Sequence, residues 1–229
     1  MKLAVISDIH SNIFAFKEVL KKILEMVVDE IWCCGDIIGY YPFPNECIDL
    51  IKKHKIQSVL GNHDWATITG DTTGFGFYGR EGVKINKSKI TKDNVRFLKD
   101  LPKNLMFVRD NISFYITHGS PRDNLFEYIF EYTSNDVFNK IVKDIKSDII
   151  LLGHTHVFME KNVGDKKFLN PGSVGQPRDS NPDASFLIFN TGNMKCECYR
   201  VSYDIDAMTD AIKKNGLSIY LAKRLYSGD

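Results

Sequence analysis

Two packed β-sheets flanked by helices, an α/β architecture, is the fold this sequence predicts. Three observations point to it. Short apolar strands alternate with helical periodicity through the first half, long hairpin patterns follow in the second, and four strands end in polar clusters instead of carrying polar residues inside them.

Taken in order, KLAVI (Lys2 to Ile6) is a short apolar strand. Asn12 to Met26 repeats apolar residues at helical spacing, with Ser11 or Asn12 as its natural N-cap. EIWCC is a second strand, Pro44 to Lys53 a helix opened by proline, and QSVL a third strand. Thr91 to Leu101 reads as a helix that Pro102 stops. The strands ISFYITHG and DIILLGHTH follow, separated by a helix near Ser134 to Ile145. VFMEKNVGDKKFLN is a hairpin turning at Gly164-Asp165, and ASFLIFNTGNMKCECYRVSY another turning near Gly192-Asn193. A helical tail from about 205 to 229 holds two short helices around Asn215-Gly216 and closes a single domain, 1–229. Two stretches, Thr69 to Gly82 and Ser120 to Asp136, read as irregular.

Composition narrows the function. Thirty Lys and Arg against 29 Asp and Glu leave a net charge of +1, which gives no electrostatic case for an extended nucleic-acid groove or an anionic membrane surface. A chain of this length buries roughly 70–75% of its unfolded surface, enough for a core without staples. The five cysteines (Cys33, Cys34, Cys47, Cys196 and Cys198) are odd in number, and no secretory pattern or membrane-length apolar run accompanies them. A reduced, cytoplasmic protein is expected. Cys196 and Cys198 lack a partner pair at zinc-site spacing and are expected to be two residues on one strand face.

The polar clusters share a vocabulary: SDIHSN (Asp8, His10, Asn12), GDIIGY (Asp36), GNHD (Asn62, His63, Asp64) and GHTH (His154, His156), with His118 in THGSP as a fifth. Five of six histidines stand in these words; only His54, in KKHK, lies elsewhere. Strand C-terminal ends are where open α/β sheets bind ligands. Asp8-x-His10 and His154-x-His156 use a spacing that sends both side chains to one face of extended backbone. Buried imidazoles need partners, and a metal would satisfy both histidines of the GHTH word. Carboxylate, imidazole and amide without thiolate suit Mn, Fe, Zn or Ni.

In this order the words resemble the calcineurin-like metallophosphoesterase superfamily, from Lys2 to about Tyr203. The resemblance implies a four-layer αββα sandwich of two mixed sheets and two divalent metal ions, Mn foremost, with Fe, Zn, Ni or Co as alternatives. It implies Asp8, His10 and His156 on one metal, Asn62, His118 and His154 on the other, and Asp36 bridging both. His63 would then face the scissile phosphate as an acid or an electrostatic contact. Two metals about 3.5–4 Å apart clamp a phosphoryl group and activate a bridging hydroxide. Relatives that are protein phosphatases, and the classical diadenosine tetraphosphatases near them, carry Gly-Asp-x-x-Asp-Arg-Gly; here Gly39 and Tyr40 replace the second aspartate and the arginine, which weighs against a protein phosphatase. Asp64 is left to orient His63 or to cap the next helix.

GDIIGYYPFPNECI, HGSPRDNLFEY and NPGSVGQPRDSNPDASF resemble a prokaryotic phosphodiesterase or diadenosine-tetraphosphatase-like branch. The expected substrate is a small phosphodiester or nucleotide-type ester or anhydride. The alternatives are a phosphomonoester, a non-catalytic scaffold, or a nuclease, which the neutral charge disfavours. Arg178, Arg122 and Asn12 are the candidate substrate contacts, each arginine weighed against a loop brace. Asn170 to Ser173 is expected to be a supporting turn, and the aromatics of GFGFYG and LFEYIFEY to be packed for the most part. A homo-oligomer is compatible with the chain.

Overall fold

The computed structural model describes residues 1–229. One sheet has the order β10-β9-β1-β2-β3 and the other β4-β5-β6-β8-β7. In the first, β1 (Lys2–Ile6), β2 (Glu30–Cys33) and β3 (Gln57–Ser58) run parallel, joined through α1 (Ile13–Glu25) and α2 (Pro44–Lys53). The hairpin of β9 (Ala184–Asn190) and β10 (Lys195–Val201) extends it, β9 antiparallel to β1. In the second sheet β5 (Ile112–Thr117), β6 (Ile149–Leu151) and β8 (Lys166–Pro171) are parallel, with β4 (Asn104–Arg109) and β7 (Phe158–Val163) antiparallel at the edges.

Strand alternation explains the layering. Leu3 and Val5 of β1 face Phe114, Ile116, Leu151 and Leu169 between the sheets, with Trp32 and Phe189. Ala4 and Ile6 point the other way, to Phe16, Val19 and Ile23 of α1 and Ile48 and Ile51 of α2. On the far side Phe138 and Ile141 of α6 (Asn135–Val142) cover Ile150 and Phe168. The result is four layers, helix, sheet, sheet, helix. The tail helices α7 (Ile205–Lys214) and α8 (Ile219–Ser227) pack Met208, Ile212 and Leu221 on Tyr41. No helix is long and apolar enough to cross a membrane.

Both hairpins turn where expected, and Asn12 caps α1 through Ala15 N at 3.2 Å. The five cysteines are free, with Cys196 and Cys198 in β10. Two elements differ from expectation. The stretch read as irregular from Thr69 to Gly82 becomes helix at Phe77, beginning α4 (Phe77–Lys89), which follows α3 (Asn62–Thr69) and precedes α5 (Lys92–Lys99). Strand β4 has no counterpart in the sequence reading.

Candidate metal centre

The loops that leave β1, β2, β3, β5 and β6 meet at one end of the two sheets. Asp8, His10, Asp36, His154 and His156 all have φ between +50° and +68°, the left-handed region. Such conformations cost about 1–3 kcal/mol each in non-glycine residues and persist where surrounding structure over-determines them. The expectation that the Asp-x-His and His-x-His pairs share a face of extended backbone is therefore corrected. These residues stand beyond the last ladder positions of β1 and β6, and left-handed turns aim them.

The turns separate His154 from His156. His156 Nε2 lies 3.0 Å from His10 Nε2 and 3.2 Å from Asp8 Oδ1. His154 Nδ1 lies 3.1 Å from His118 Nε2, which is 2.9 Å from Asn62 Oδ1. Asp36 Oδ2 stands between the two sets, 3.7 Å from His10 Nε2 and 3.4 Å from His118 Nε2. The groups Asp8-His10-His156 and Asp36-His118-His154 each hold their ligand atoms within 4.8 Å of one another, and so does His10-Asp36-His63.

Backbone carbonyls fix which nitrogen faces inward. His118 Nδ1 donates to Cys34 O at 2.9 Å, His156 Nδ1 to Gln176 O at 2.6 Å, and His154 Nε2 to Phe126 O at 3.3 Å. Each donation turns the opposite ring nitrogen inward, the usual arrangement behind metal-binding histidines. Two inward nitrogens 3.1 Å apart, as in His118 and His154, need a proton or a cation between them. Asp8 Oδ1 is also buried without a hydrogen-bond partner. The donor set and these orphaned atoms fit divalent cations.

The electrostatics agree. Burial alone would raise the Asp8 carboxyl, but His156, with His118 and Ser7 behind it, outweighs burial and holds it at about 2. Burial likewise opposes a charge on His118, yet Asp36 beside it pushes the imidazole up to about 9. Burial keeps His10 and His154 well below the usual imidazole range.

His63 sits with its backbone N–H on Asp36 Oδ1 at 2.8 Å and its carbonyl accepting from Thr67 Oγ1 at 3.0 Å. Its ring is walled by His10, Tyr40 and Phe75 at centroid distances of 4.6 to 4.7 Å. Burial lowers it to about 4. Asp64 does not orient this ring. Its carboxylate accepts from Gly61 N and Ile38 N at 3.0 Å and Ile37 N at 3.3 Å, so the capping alternative is the one the structure shows.

The three candidate substrate contacts separate. Both amide hydrogens of Asn12 are engaged, by Gly175 O at 2.9 Å and Tyr203 Oη at 3.3 Å, and its oxygen caps α1, so its amide is committed to the fold. Arg122 pairs with Glu127 in its own loop, a brace. Arg178 lies at the cluster, donating to Tyr40 Oη and Gln176 Oε1. Asn170 donates to Gly153 O at 2.7 Å, and Ser173 Oγ to Asp8 O at 2.8 Å, so that turn supports the site as expected. The aromatic segments depart from expectation: Phe75 is buried, but Phe77, Phe126, Tyr128 and Tyr132 are exposed. Sequence reasoning missed Gln176, whose carbonyl aligns His156; a backbone acceptor leaves no signal in residue identity.

Fold and site together define a metal-dependent phosphoric ester hydrolase. Residues 1–194 match the calcineurin-like phosphoesterase superfamily domain, and the chain belongs to that superfamily. It is 38% identical to the uncharacterized protein MJ0912 of Methanocaldococcus jannaschii, over 99% of this chain and 98% of that one. The crystal structure of a metallophosphoesterase from Sphaerobacter thermophilus superposes with a TM-score of 0.85 at 30% identity, covering 100% of this chain and 99% of the other. The phosphodiesterase YfcE of Escherichia coli is 22% identical over 83% of this chain and 88% of its own length.

Proposed function

We propose that the chain is a binuclear metal-dependent phosphoesterase acting on a small phosphodiester or nucleotide-type ester or anhydride. One observation carries this reading: a single carboxylate, Asp36, faces two separate histidine groups, through His10 on one side and His118 on the other. Asp8, His10 and His156 would hold one cation, Asn62, His118 and His154 the second, with Asp36 shared. Bound there, two divalent cations supply Lewis-acid activation of water and neutralise charge developing on the phosphoryl group.

The protein's own groups do the rest. Asp36 anchors His63 through its backbone N–H, tying the proton donor to the shared ligand. His63 Nδ1 is buried without a partner, which leaves Nε2 as the nitrogen for the leaving oxygen. Burial holds His63 at about 4, and an anionic phosphoryl group beside this ring favours its protonated form, the form that can donate to the leaving oxygen as the ester bond breaks. The likeness to a phosphodiesterase supports a diester first and a monoester second.

The test is a panel of bis-p-nitrophenyl phosphate, p-nitrophenyl phosphate and dinucleoside polyphosphates with protein reconstituted in Mn, Ni or Co. Metal-dependent turnover is expected and is lost in Asp36→Asn. Full activity in that variant overturns the shared-ligand mechanism, and no turnover with any metal favours a scaffold.

A further inference from the structure

Arg178 has a fixed place and no charge partner. On the loop between β8 and β9, its Nη2 donates to Tyr40 Oη at 3.1 Å and to Gln176 Oε1 at 3.0 Å. Gln176 is itself held by donating to Tyr41 Oη at 2.9 Å. Arg178 Nε is buried and meets no acceptor. By contrast Arg109, Arg122 and Arg200 each close on a carboxylate. A half-buried guanidinium among neutral partners carries a desolvation cost that an anion would offset. Its guanidinium lies over the Tyr40 ring, 5.8 Å from the centroid, and that ring packs on His10 at 4.8 Å and His63 at 4.6 Å, so the missing anion belongs at the histidine cluster.

Beside it, the ring of Tyr128 lies on His154 with centroids 3.7 Å apart and planes 27° from parallel, yet the residue is 49% exposed. Phe130 and Tyr132 continue the row, successive planes 5° and 7° apart, and Tyr132 is 82% exposed. One face of Tyr128 is covered by His154 and Phe130 lies parallel to it with centroids 6.0 Å apart, so the exposed rim of this aromatic row stands beside the anion site and matches an ester whose phosphate carries a flat ring.

We propose that Arg178 grips a non-bridging oxygen of the substrate phosphate and that Tyr128, with the rings behind it, receives a flat ring of the ester. The site then favours nucleotide-type or aryl esters over alkyl ones. This rests on the phosphoesterase reading above and names the substrate class within it.

Product inhibition separates the two halves. The probes are inorganic phosphate, ribose 5-phosphate and AMP, against Mn-loaded enzyme hydrolysing bis-p-nitrophenyl phosphate. AMP is expected to inhibit at roughly tenfold lower concentration than ribose 5-phosphate, and Tyr128→Ala abolishes that preference. Arg178→Gln weakens all three inhibitors by roughly ten- to a hundredfold, Arg178→Lys restores part, and Arg122→Gln changes nothing. Arg178→Gln also keeps its Mn content, melts no lower than wild type without phosphate, and loses the upward shift that phosphate gives. An arginine with a merely structural role would lower the melting temperature and leave phosphate inhibition intact, which overturns the first half. AMP inhibiting no better than ribose 5-phosphate overturns the second. If the wild type hydrolyses no ester, the phosphoesterase reading itself fails, while the phosphate-dependent melting shift still reports on Arg178.

Discussion

Gly39 packs so tightly on His10 that a methyl group added to it would overlap His10 Nδ1 and stand 3.1 Å from His63 Nδ1. Both nitrogens are buried without hydrogen-bond partners. The glycine thus lets the His10 imidazole, a proposed metal ligand, and the proposed proton donor stand edge to face, centroids 4.7 Å apart. The aspartate of the Gly-Asp-x-x-Asp pattern has no room here unless His10 moves, and the backbone of His63 is anchored by Asp36 instead. Gly39→Ala should therefore lower kcat by about a hundredfold, the usual order for a displacement near 1 Å, with the far-UV spectrum preserved and Mn content reduced. Wild-type kcat in that variant would show that the rings have space.

Asp64 ties two loops together. Its carboxylate receives N–H groups from Ile37 and Ile38 after Asp36 and from Gly61 before Asn62. Burial, reinforced by the neighbouring Asp36 charge, raises its carboxyl to about 7. Asp64→Asn puts an amide N–H against backbone donors and should cost about 2–3 kcal/mol of stability, read as a lowered denaturation midpoint. Activity falls with it, because Asp36 and His63 both hang from these loops. An unchanged midpoint would remove this anchoring role.

These relationships show what sequence could and could not carry. The strand-end words placed Asp8, Asp36, His118 and the GHTH pair together because residue type and position sufficed. Their left-handed turns were hidden, since nothing in the identity of Asp or His demands positive φ. Helix α4 was masked by glycines that resemble turn residues. A Cβ on Gly82 would approach Tyr40 Cα to 2.6 Å, so that glycine serves close packing. Strand β4 carries no polar–apolar alternation in its sequence although its burial alternates: Leu105 and Phe107 face the core while Met106 and Val108, equally apolar, are 70% and 63% exposed.

His118 predicts how pH governs metal loading. Metal-free, its imidazole is raised from 6.5 to about 9, with Asp36 overcoming burial. A raised folded value means its charge stabilises the metal-free protein fully below pH 6.5, and that contribution disappears as pH climbs through 9. Because a cation must displace this proton, apparent Mn affinity should rise roughly tenfold per pH unit approaching 9 and then level. Calorimetry near pH 7.5 in buffers of different ionisation enthalpy should show about one proton released. Binding without proton release would mean that His118 is not displaced.

His63 and His154 belong to one pocket but should fail differently. His154 turns Nδ1 to His118 and secures Nε2 on Phe126 O, so His154→Ala removes an inward donor and should lower Mn content together with activity. His63 contributes no atom to the Asp8-His10-His156 or Asp36-His118-His154 group, although it lies beside both His10 and Asp36. His63→Ala should keep its Mn while kcat falls by roughly 10²–10⁴, the range of a lost general acid. The deficit should shrink for esters with p-nitrophenolate leaving groups, which depart without a proton, and grow for alkoxide leaving groups. Comparing kcat across leaving groups of rising pKa, at full Mn occupancy, decides the matter. A His63→Ala deficit that is the same for every leaving group would assign the ring to holding the phosphate instead of protonating the departing oxygen.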